Sequence, residues 1–299
     1  MSIFKPMRSC HPDPKFPLQP PYLVSRKYDG IRLVRHEDKL ITKSGKQLPN
    51  KHIRNWCLAN VPPGFDFEVI SGPPNLETTY NTTYRAAMTI EGEPDFHLYM
   101  FDLCDRDNMY AIDRYKRLQC FPANQRIVVV EKYLCTDMVQ VQAYYDQFLS
   151  EGYEGAILQT PDSFYKSGKC TPKENIQLKL KPEDDFDATI IDVYEAERND
   201  NEAFLNELGE TKRSTHAENK VGKGIAGGFL ARDHLTGETI RIGCGKMKHA
   251  ERAEVWQDKT NYIGRGFVYR SMTYGVKDAP RQGRWYRWRD TVDMEPAGA

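Results

Sequence analysis

Residues 22–34 read Tyr22-Leu23-Val24-Ser25-Arg26-Lys27-Tyr28-Asp29-Gly30-Ile31-Arg32-Leu33-Val34. The apolar residues Leu23-Val24 and Ile31-Leu33-Val34 predict two strands, which puts Lys27 on a tight turn between them. Asp29 is a common turn residue, and Gly30 supplies the positive φ or the close backbone approach such a turn needs. A lysine held there can meet a ligand while its ammonium is stripped of water. Free lysine, with a pKa of about 10.4, is a poor nucleophile until burial or cationic neighbours lower that value. Arg26, Arg32 and Lys43 are candidate neighbours that would also hold phosphates. The competing reading is an ordinary charged hairpin, since a Lys-x-Asp-Gly tetrapeptide arises by chance in roughly one chain in twenty of this size.

Composition narrows the class. The 299 residues suffice for one large domain or two modest ones. Lys+Arg and Asp+Glu both number 42, so a polyanionic partner would have to be met by local segregation of charge. Seven cysteines without a Cys-x-x-Cys pair argue against a disulfide framework and a zinc site, and predict a reducing compartment. No apolar run is long enough to span a bilayer and no signal peptide opens the chain, so the expectation is a soluble cytoplasmic protein.

Residues 1–21 are proline-rich and are expected to lie extended along a surface. Strands are predicted at Phe65–Val69, Phe96–Phe101, Arg126–Val130, Glu154–Leu158 and Ile176–Leu180, and helices at Lys51–Asn60, Leu76–Thr89, Ala111–Cys120 and Asp137–Glu151. This alternation lacks a regular βαβ rhythm, so the fold class is α+β. Lys181-Pro182-Glu183-Asp184-Asp185 breaks the pattern and divides the chain into domains at 1–185 and 186–299. The second half predicts strands at Ala188–Tyr194, Gly228–Arg232, Glu238–Ile242, Gly266–Tyr274 and Trp285–Arg289, with a helix near His249–Lys259. That pattern suits a small barrel such as an OB-fold.

The stretch Glu195–Gly227 is polar and long for a connection, which marks it as a functional loop. Gly222-Lys223-Gly224-Ile225-Ala226-Gly227 within it fits a dinucleotide fingerprint by letter. A strand should precede that fingerprint and a helix follow; here a polar stretch precedes and a strand follows, so it reads as a hinge.

Further polar residues sit where phosphate chemistry would want them. Glu68 and Glu154 abut apolar runs, where an unpaired carboxylate is costly. Gln177-Leu178-Lys179-Leu180-Lys181 puts two lysines on one strand face, an arrangement able to hold a triphosphate. Each has a bland alternative: a salt-bridged core glutamate, a solvated edge strand, and core packing for Tyr99 and Phe101.

In their order along the chain these pieces resemble the covalent nucleotidyltransferases, the superfamily of DNA ligases, RNA ligases and mRNA capping enzymes. Lys27–Arg32 matches motif I, and Thr42-Lys43-Ser44-Gly45 resembles motif Ia with lysine where arginine is usual, which implies a contact of Lys43 with the DNA backbone. Tyr99-Met100-Phe101-Asp102 resembles motif III, Glu151–Gly155 motif IV and Gln177–Lys181 motif V. The resemblance runs from about Tyr22 through the C-terminal barrel. It is nearest to the minimal ATP-dependent DNA ligases of viruses and bacteriophages, with Glu207–His216 and the tail Lys277-Asp278-Ala279-Pro280-Arg281 included.

The resemblance implies that Lys27 attacks the α-phosphate of ATP and forms a lysyl-adenylate. Arg26 would border the nucleotide and Arg32 would hold ribose or phosphate, while Glu68 contacts the ribose and Phe101 stacks on adenine. Glu154 would orient Lys27, with Lys179 and Lys181 neutralising the α-phosphate. Magnesium, or manganese in its place, would assist, with no direct protein ligand and with Glu68 and Glu154 reaching it through water. AMP would then pass to the 5′-phosphate of a nick, and Asp29 would position the attacking 3′-hydroxyl. The expected partner is nicked duplex DNA, encircled by a monomer, in the host cytoplasm if the chain is phage-encoded.

From Arg265 to Arg289 there are seven basic residues against one acid, Asp278. Strict alternation puts Arg287 and Arg289 on one face with Trp285, and Tyr286 with Trp288 on the other. Arg281, Arg284, Arg287 and Arg289 are therefore candidate DNA contacts, while the tryptophans fit either the barrel core or the DNA face. Lys212, Arg213, Lys220 and Lys223 form a second basic cluster, which the resemblance reads as a latch at about 195–227, disordered without DNA. No Arg/His-x-Asp-Lys tetrapeptide, the tail motif of capping enzymes, is present. An ATP-dependent RNA ligase shares the catalytic motifs and stays open. A GTP-using capping enzyme lacks its tail motif here, and a non-catalytic OB-fold binding module would not need Lys27, Glu154, Lys179 and Lys181 together.

Overall fold

The computed structural model describes residues 4–104, 108–182, 184–206, 209–272 and 281–289. Two compact units emerge: Met1–Lys181 with Asn206–Glu210, and Pro182–Leu205 with Thr211–Ala299. Among the described residues no helix is long and apolar enough to cross a membrane.

The first unit runs β1 (Tyr22–Lys27), β2 (Ile31–His36), β3 (Lys39–Thr42), α1 (Lys51–Asn60), β4 (Phe65–Ile70), α2 (Thr79–Met88), β5 (His97–Leu103), α3 (Ala111–Gln119), β6 (Ile127–Val129), β7 (Tyr133–Cys135), α4 (Met138–Ser150), β8 (Gly155–Gln159) and β9 (Gln177–Leu180). These strands form two sheets, ordered β7-β1-β8-β9 and β3-β2-β4-β5-β6. Lys27 therefore does not sit on a hairpin turn. It ends β1, and Tyr28-Asp29-Gly30 carries the chain from one sheet into the other.

Alternation along each strand separates a buried face from a polar one. In the smaller sheet Tyr22, Val24, Ala156, Leu158 and Leu178 pack with Val141 and Phe148 of α4. In the larger sheet Leu33, Phe67, Val69, Leu98 and Met100 pack with Ile53 and Cys57 of α1, Ala87 of α2 and Leu118 of α3. The opposite faces carry Ser25, Lys27, Ile157 and Lys179 on one sheet and Arg32, Glu68 and Phe101 on the other, and these line one cleft. The helices start where side chains cap them: Asn50 accepts from the Ile53 amide and Asp137 from the Gln140 amide, both at 2.9 Å.

The proline-rich N-terminus lies at the surface over residues 11–21 but dips into the core before that. Met7 is fully buried. Cys10 borders β9 in a parallel bridge with Leu178, its amide donating to Gln177 O at 3.2 Å and its carbonyl accepting from Lys179 N at 2.9 Å. The segment supplies an apolar plug and edge hydrogen bonds, which proline spacing alone does not announce.

The second unit contains β10 (Asp184–Asn199), β11 (Ala203–Leu205), β12 (Thr211–Arg213), β13 (Lys220–Asp233), β14 (Thr239–Gly243), α5 (His249–Gln257), α6 (Lys259–Tyr262), β15 (Gly266–Met272) and β16 (Arg281–Trp288). Five of its strands close into a barrel in the order β10-β13-β14-β16-β15 around Ile190, Val193, Phe229, Ile242, Phe267 and Tyr269.

The expected loop at 195–227 is instead a two-stranded ribbon. β10 and β13 stay paired out to Asn199 and Lys220, with register shifts around Glu195. The Gly222–Gly227 segment lies inside β13 and is no free hinge. Its glycines let it crowd Glu195: a Cβ on Gly222 would fall 2.4 Å from that carboxylate, which accepts from the Gly224 amide at 2.7 Å.

Candidate active site

The cleft of the first unit has a volume of about 190 Å³ and is floored by the smaller sheet. Register sets its rows. Lys27 faces Gly155 across β1 and β8, Ser25 faces Ile157, and Ile157 faces Lys179 on β9. Val24 pairs with Tyr133, so Lys132 stands beside Ser25 at the far edge of the same row. Lys132, Ser25, Ile157 and Lys179 thus cross the floor on four neighbouring chain segments, all lining the cleft.

Lys27 donates a hydrogen bond to Glu154 Oε2. Lys181 Nζ lies 3.6 Å from Glu154 Oε1, so one buried carboxylate, 6% exposed, holds both ammoniums. Lys179 has no such partner at hand. Burial, then the charges of Lys181, Lys27 and Lys43, pull its pKa down to about 8.

The roof comes from the larger sheet. Arg32 and Glu68 pair across β2 and β4. Burial pushes the Glu68 carboxyl up to about 8, against the pull of Lys27 and Arg32 and with the push of Asp29 and Glu154. Arg32 is not free for a ligand: Nε donates to Asp66 Oδ1 at 2.8 Å, and its other nitrogens reach Asp66 Oδ2 and Met7 O. Burial works against its charge, but the Asp66 carboxylate outweighs that and keeps it firmly ionised. The Arg32 guanidinium also covers Phe101 at 5.3 Å from the ring centroid. Phe101 lines the cleft across from Ile157 while packing against Ile70, Tyr99 and Val130, so it serves core and cleft together.

Other expected site residues divide. Asp29 is buried, 6% exposed, in the crossover segment. Gly30 provides close approach and not a positive φ, because a Cβ there would sit 2.3 Å from Val69 O. Arg26 borders the cleft, yet its guanidinium turns to Glu151 at 2.8 Å and to the Phe148 ring at 4.8 Å. Strand alternation explains this, since Arg26 faces opposite to Lys27. Lys43 lines the same cleft as Lys27, and burial with the charges of Arg8, Lys27 and Arg32 lowers its pKa.

Sequence reasoning missed Arg8, Ser9, Ser25, Lys132, Ile157 and Gln177 in the cleft lining. Ser25, Ile157 and Gln177 were findable, standing two positions from Lys27, Gly155 and Lys179 on the same strand faces. Lys132 and Arg8 carry no local signal. Lys132 donates to Gln159 Oε1 at 2.6 Å, Gln159 donates to Asp102 Oδ2 at 2.8 Å, and Asp102 is bound by Arg114 at 2.7 and 3.2 Å. Burial lowers Lys132 to about 8, with Asp102 opposing that fall.

Of the candidate DNA residues, Lys43 lies in the cleft of the first unit and the others belong to the second unit. Lys212 and Arg213 lie on β12, and Lys220 and Lys223 on β13; Lys220 Nζ is 3.6 Å from Glu197. Arg284 and Arg287 lie on β16, with Arg287 exposed, while Arg289 is held by Asp187 at 2.6 and 2.7 Å. Arg281 belongs to β16, but its side chain, like Glu207-Leu208 and residues 277–280, lies outside the described residues. The expected alternation of the tryptophans fails. Trp285 pairs with Tyr269 and Arg287 with Val268, so a bulge at Tyr286 turns both Trp285 and Trp288 onto the barrel core.

Comparison with known proteins agrees with this geometry. Residues 74–181 match the family described as "ATP dependent DNA ligase domain", a span that holds Phe101, Glu154, Lys179 and Lys181. The DNA ligase of Escherichia phage T7 is 40% identical over 60 residues, which cover 20% of this chain and 16% of that protein. The Chlorella virus DNA ligase-adenylate structure matches over 97% of this chain and 99% of its own, at 25% identity and a TM-score of 0.54. A Lig E DNA ligase matches 96% of this chain and all of its own, at 19% identity and a TM-score of 0.70. Residues 74–181 thus match an ATP-dependent DNA ligase domain, and nearly the whole chain is similar in fold to the Chlorella virus DNA ligase.

Proposed function

We propose that this chain is an ATP-dependent DNA ligase that seals 3′-hydroxyl/5′-phosphate nicks in duplex DNA. The observation that carries the proposal is that Lys27 and Lys179 line one cleft with Phe101, while Glu154 holds Lys27 and Lys181 together behind it. Lys27 Nζ attacks the α-phosphorus of ATP, a phosphoramidate bond forms, and pyrophosphate leaves. Glu154, already hydrogen-bonded to Lys27, is placed to orient it and take its proton. Lys179 and Lys181 face the charge that builds on the non-bridging oxygens. AMP then moves to the 5′-phosphate of the nick, and the 3′-hydroxyl displaces it, with Asp29 assigned to that last step.

Among the described residues no cluster of three His, Cys, Asp or Glu side chains offers a metal site. Glu154 is engaged by two lysines, and Glu68, its carboxyl pushed up to about 8 by burial, is largely protonated at neutral pH. These residues suit magnesium, or manganese, only when carried by the triphosphate, with Glu68 and Glu154 touching it through water. When bound, the ion adds positive charge beside the phosphates.

The two units correspond in this reading to a nucleotidyltransferase domain (1–185) and an OB-fold (186–299). The barrel's strand order, with α5 and α6 between its third and fourth strands, supports the second assignment. The ribbon within 195–227 would be the latch, and a monomer would encircle the nick in the host cytoplasm.

The test is intact-protein mass after incubation with magnesium and either ATP or GTP, on protein first stripped with pyrophosphate. An AMP adduct from ATP alone, absent from Lys27→Ala, supports the proposal. A GMP adduct redirects it to capping, and no adduct ends it. Parallel sealing of nicked DNA and nicked RNA separates the two ligase readings.

A further inference from the structure

Arg8 enters the cleft from the N-terminal segment, and its backbone is fixed on both sides. Its N–H donates to Gly168 O at 2.7 Å, and its carbonyl accepts from Cys170 N at 2.8 Å. The side chain is half-buried and lines the cleft with Lys27 and Lys43.

The other arginines of the lining are committed to carboxylates, Arg26 to Glu151 and Arg32 to Asp66. The Arg8 guanidinium makes no hydrogen bond and no ion pair among the described residues. Glu210 feels it only at longer range, and pairs instead with Lys5 at 3.2 Å. Of the charges acting on Lys43, that of Arg8 is the largest, ahead of Lys27 and Arg32. Arg8, Lys43 and Lys179 line this half-closed cleft with no ion pair among the described residues; such cations repel one another and lose hydration, a cost that a bound anion reverses.

We infer that Arg8 is a phosphate-binding residue of the cleft, its planar fork taking two oxygens of one phosphate. The inference rests on the proposed ligase function. Two substrates present that chemistry: the β- and γ-phosphates of ATP, which depart as pyrophosphate, and the 5′-phosphate end of the nick.

The experiment compares wild type, Arg8→Ala and Arg8→Lys in two separated steps. One is lysyl-AMP formation against ATP concentration, followed by intact mass. The other is single-turnover sealing of a nick already carrying AMP on its 5′-phosphate, which bypasses ATP. A tenfold or greater rise in half-saturating ATP for Arg8→Ala assigns the triphosphate; a tenfold or greater slowing of the second step alone assigns the nick. In either case Arg8→Lys should recover part of the loss. Rates within twofold of wild type in both steps overturn the inference. So does a loss that Arg8→Lys leaves unrelieved and that tracks a lowered melting temperature, which would make Arg8 a packing residue. Wild type that forms no adduct fails the ligase reading itself, a different result from a wild type that works and an Arg8→Ala that matches it.

Discussion

Lys27 and Gly155 stand opposite one another in the β1–β8 ladder. Gly155 has a φ of 148°, and a Cβ there would fall 2.1 Å from Leu180 O and 3.1 Å from the Lys181 Cα. The glycine keeps the strand carrying Lys179 against the strand facing Lys27. Gly155→Ala should cost about 1–3 kcal/mol of stability through backbone strain. It should also slow lysyl-AMP formation by roughly tenfold or more, because about an ångström of misplacement at a reacting group is that expensive. Urea denaturation and intact mass report the two effects, and a variant unchanged in both would contradict the geometry.

Glu154 joins Lys27 to Lys181. Glu154→Gln keeps the shape but removes the charge that orients both ammoniums and accepts a proton. Adduct formation should fall on the order of 100-fold, while the variant stays folded by circular dichroism. Full activity in Glu154→Gln would remove the carboxylate from the chemistry.

The cleft should lose its hold on ATP as pH rises through about 8. Lys179 and Lys132, with pKa values brought down to about 8 by burial, are ammoniums below that pH and neutral amines above it. Glu68, pushed up to about 8 by burial, is neutral below and anionic above. All three changes oppose a polyanion, so half-saturating ATP should climb between pH 7 and pH 9. Lys179→Arg, which stays charged, should flatten that climb. A half-saturation that is level or falls over this range would count against the assignment of Lys179 to the phosphates and of Glu68 to the ribose.

Arg114 and Asp102 are 1% and 2% exposed, and their ion pair anchors Gln159 and through it Lys132. Arg114→Ala leaves a buried carboxylate alone and should cost about 3–5 kcal/mol by urea denaturation. Arg114→Lys keeps the charge without the fork and should lose less. A loss below about 1 kcal/mol for the alanine variant would show that Asp102 finds another partner.

Asn199 and Lys220 end the β10–β13 ladder, and β11 and β12 beyond them pair only with each other. Replacing residues 200–219 with a short Asn-Gly turn should therefore leave the barrel intact. Lysyl-AMP formation should stay within twofold of the full chain, while sealing at 150 mM salt falls at least tenfold. Equal losses in both steps would mean that the ribbon supports the fold and not the DNA.

That Lys27, Lys43, Phe101 and Lys179 share a cleft was legible because they lie within short motifs whose spacing survives in one dimension. Helix ends were legible where Asn50 and Asp137 cap them. The hairpin expectation at Lys27 failed because alternation reports which face a residue takes, not whether the next strand returns to the same sheet. The Trp285–Trp288 alternation failed for a local reason, one bulged residue at Tyr286. Arg8 and Lys132 were invisible because each enters the cleft from a segment whose neighbours in sequence have no part in it. The polar 195–227 stretch reads as a loop because a ribbon with no core to cover shows no apolar alternation.

The crossover Tyr28-Asp29-Gly30 carries a mechanical consequence. Four peptide steps separate the last residue of β1 from the first of β2, so floor and roof are tethered within about 14 Å at that edge. Gly30 is wedged against the β4 backbone, which leaves the tether no slack. A second crossover of equal length, Val130-Glu131-Lys132 from β6 to β7, ties floor and roof again. Lys27 ends one tie and Lys132 stands in the other, so each ammonium is anchored where the two sheets are held closest together by the chain itself.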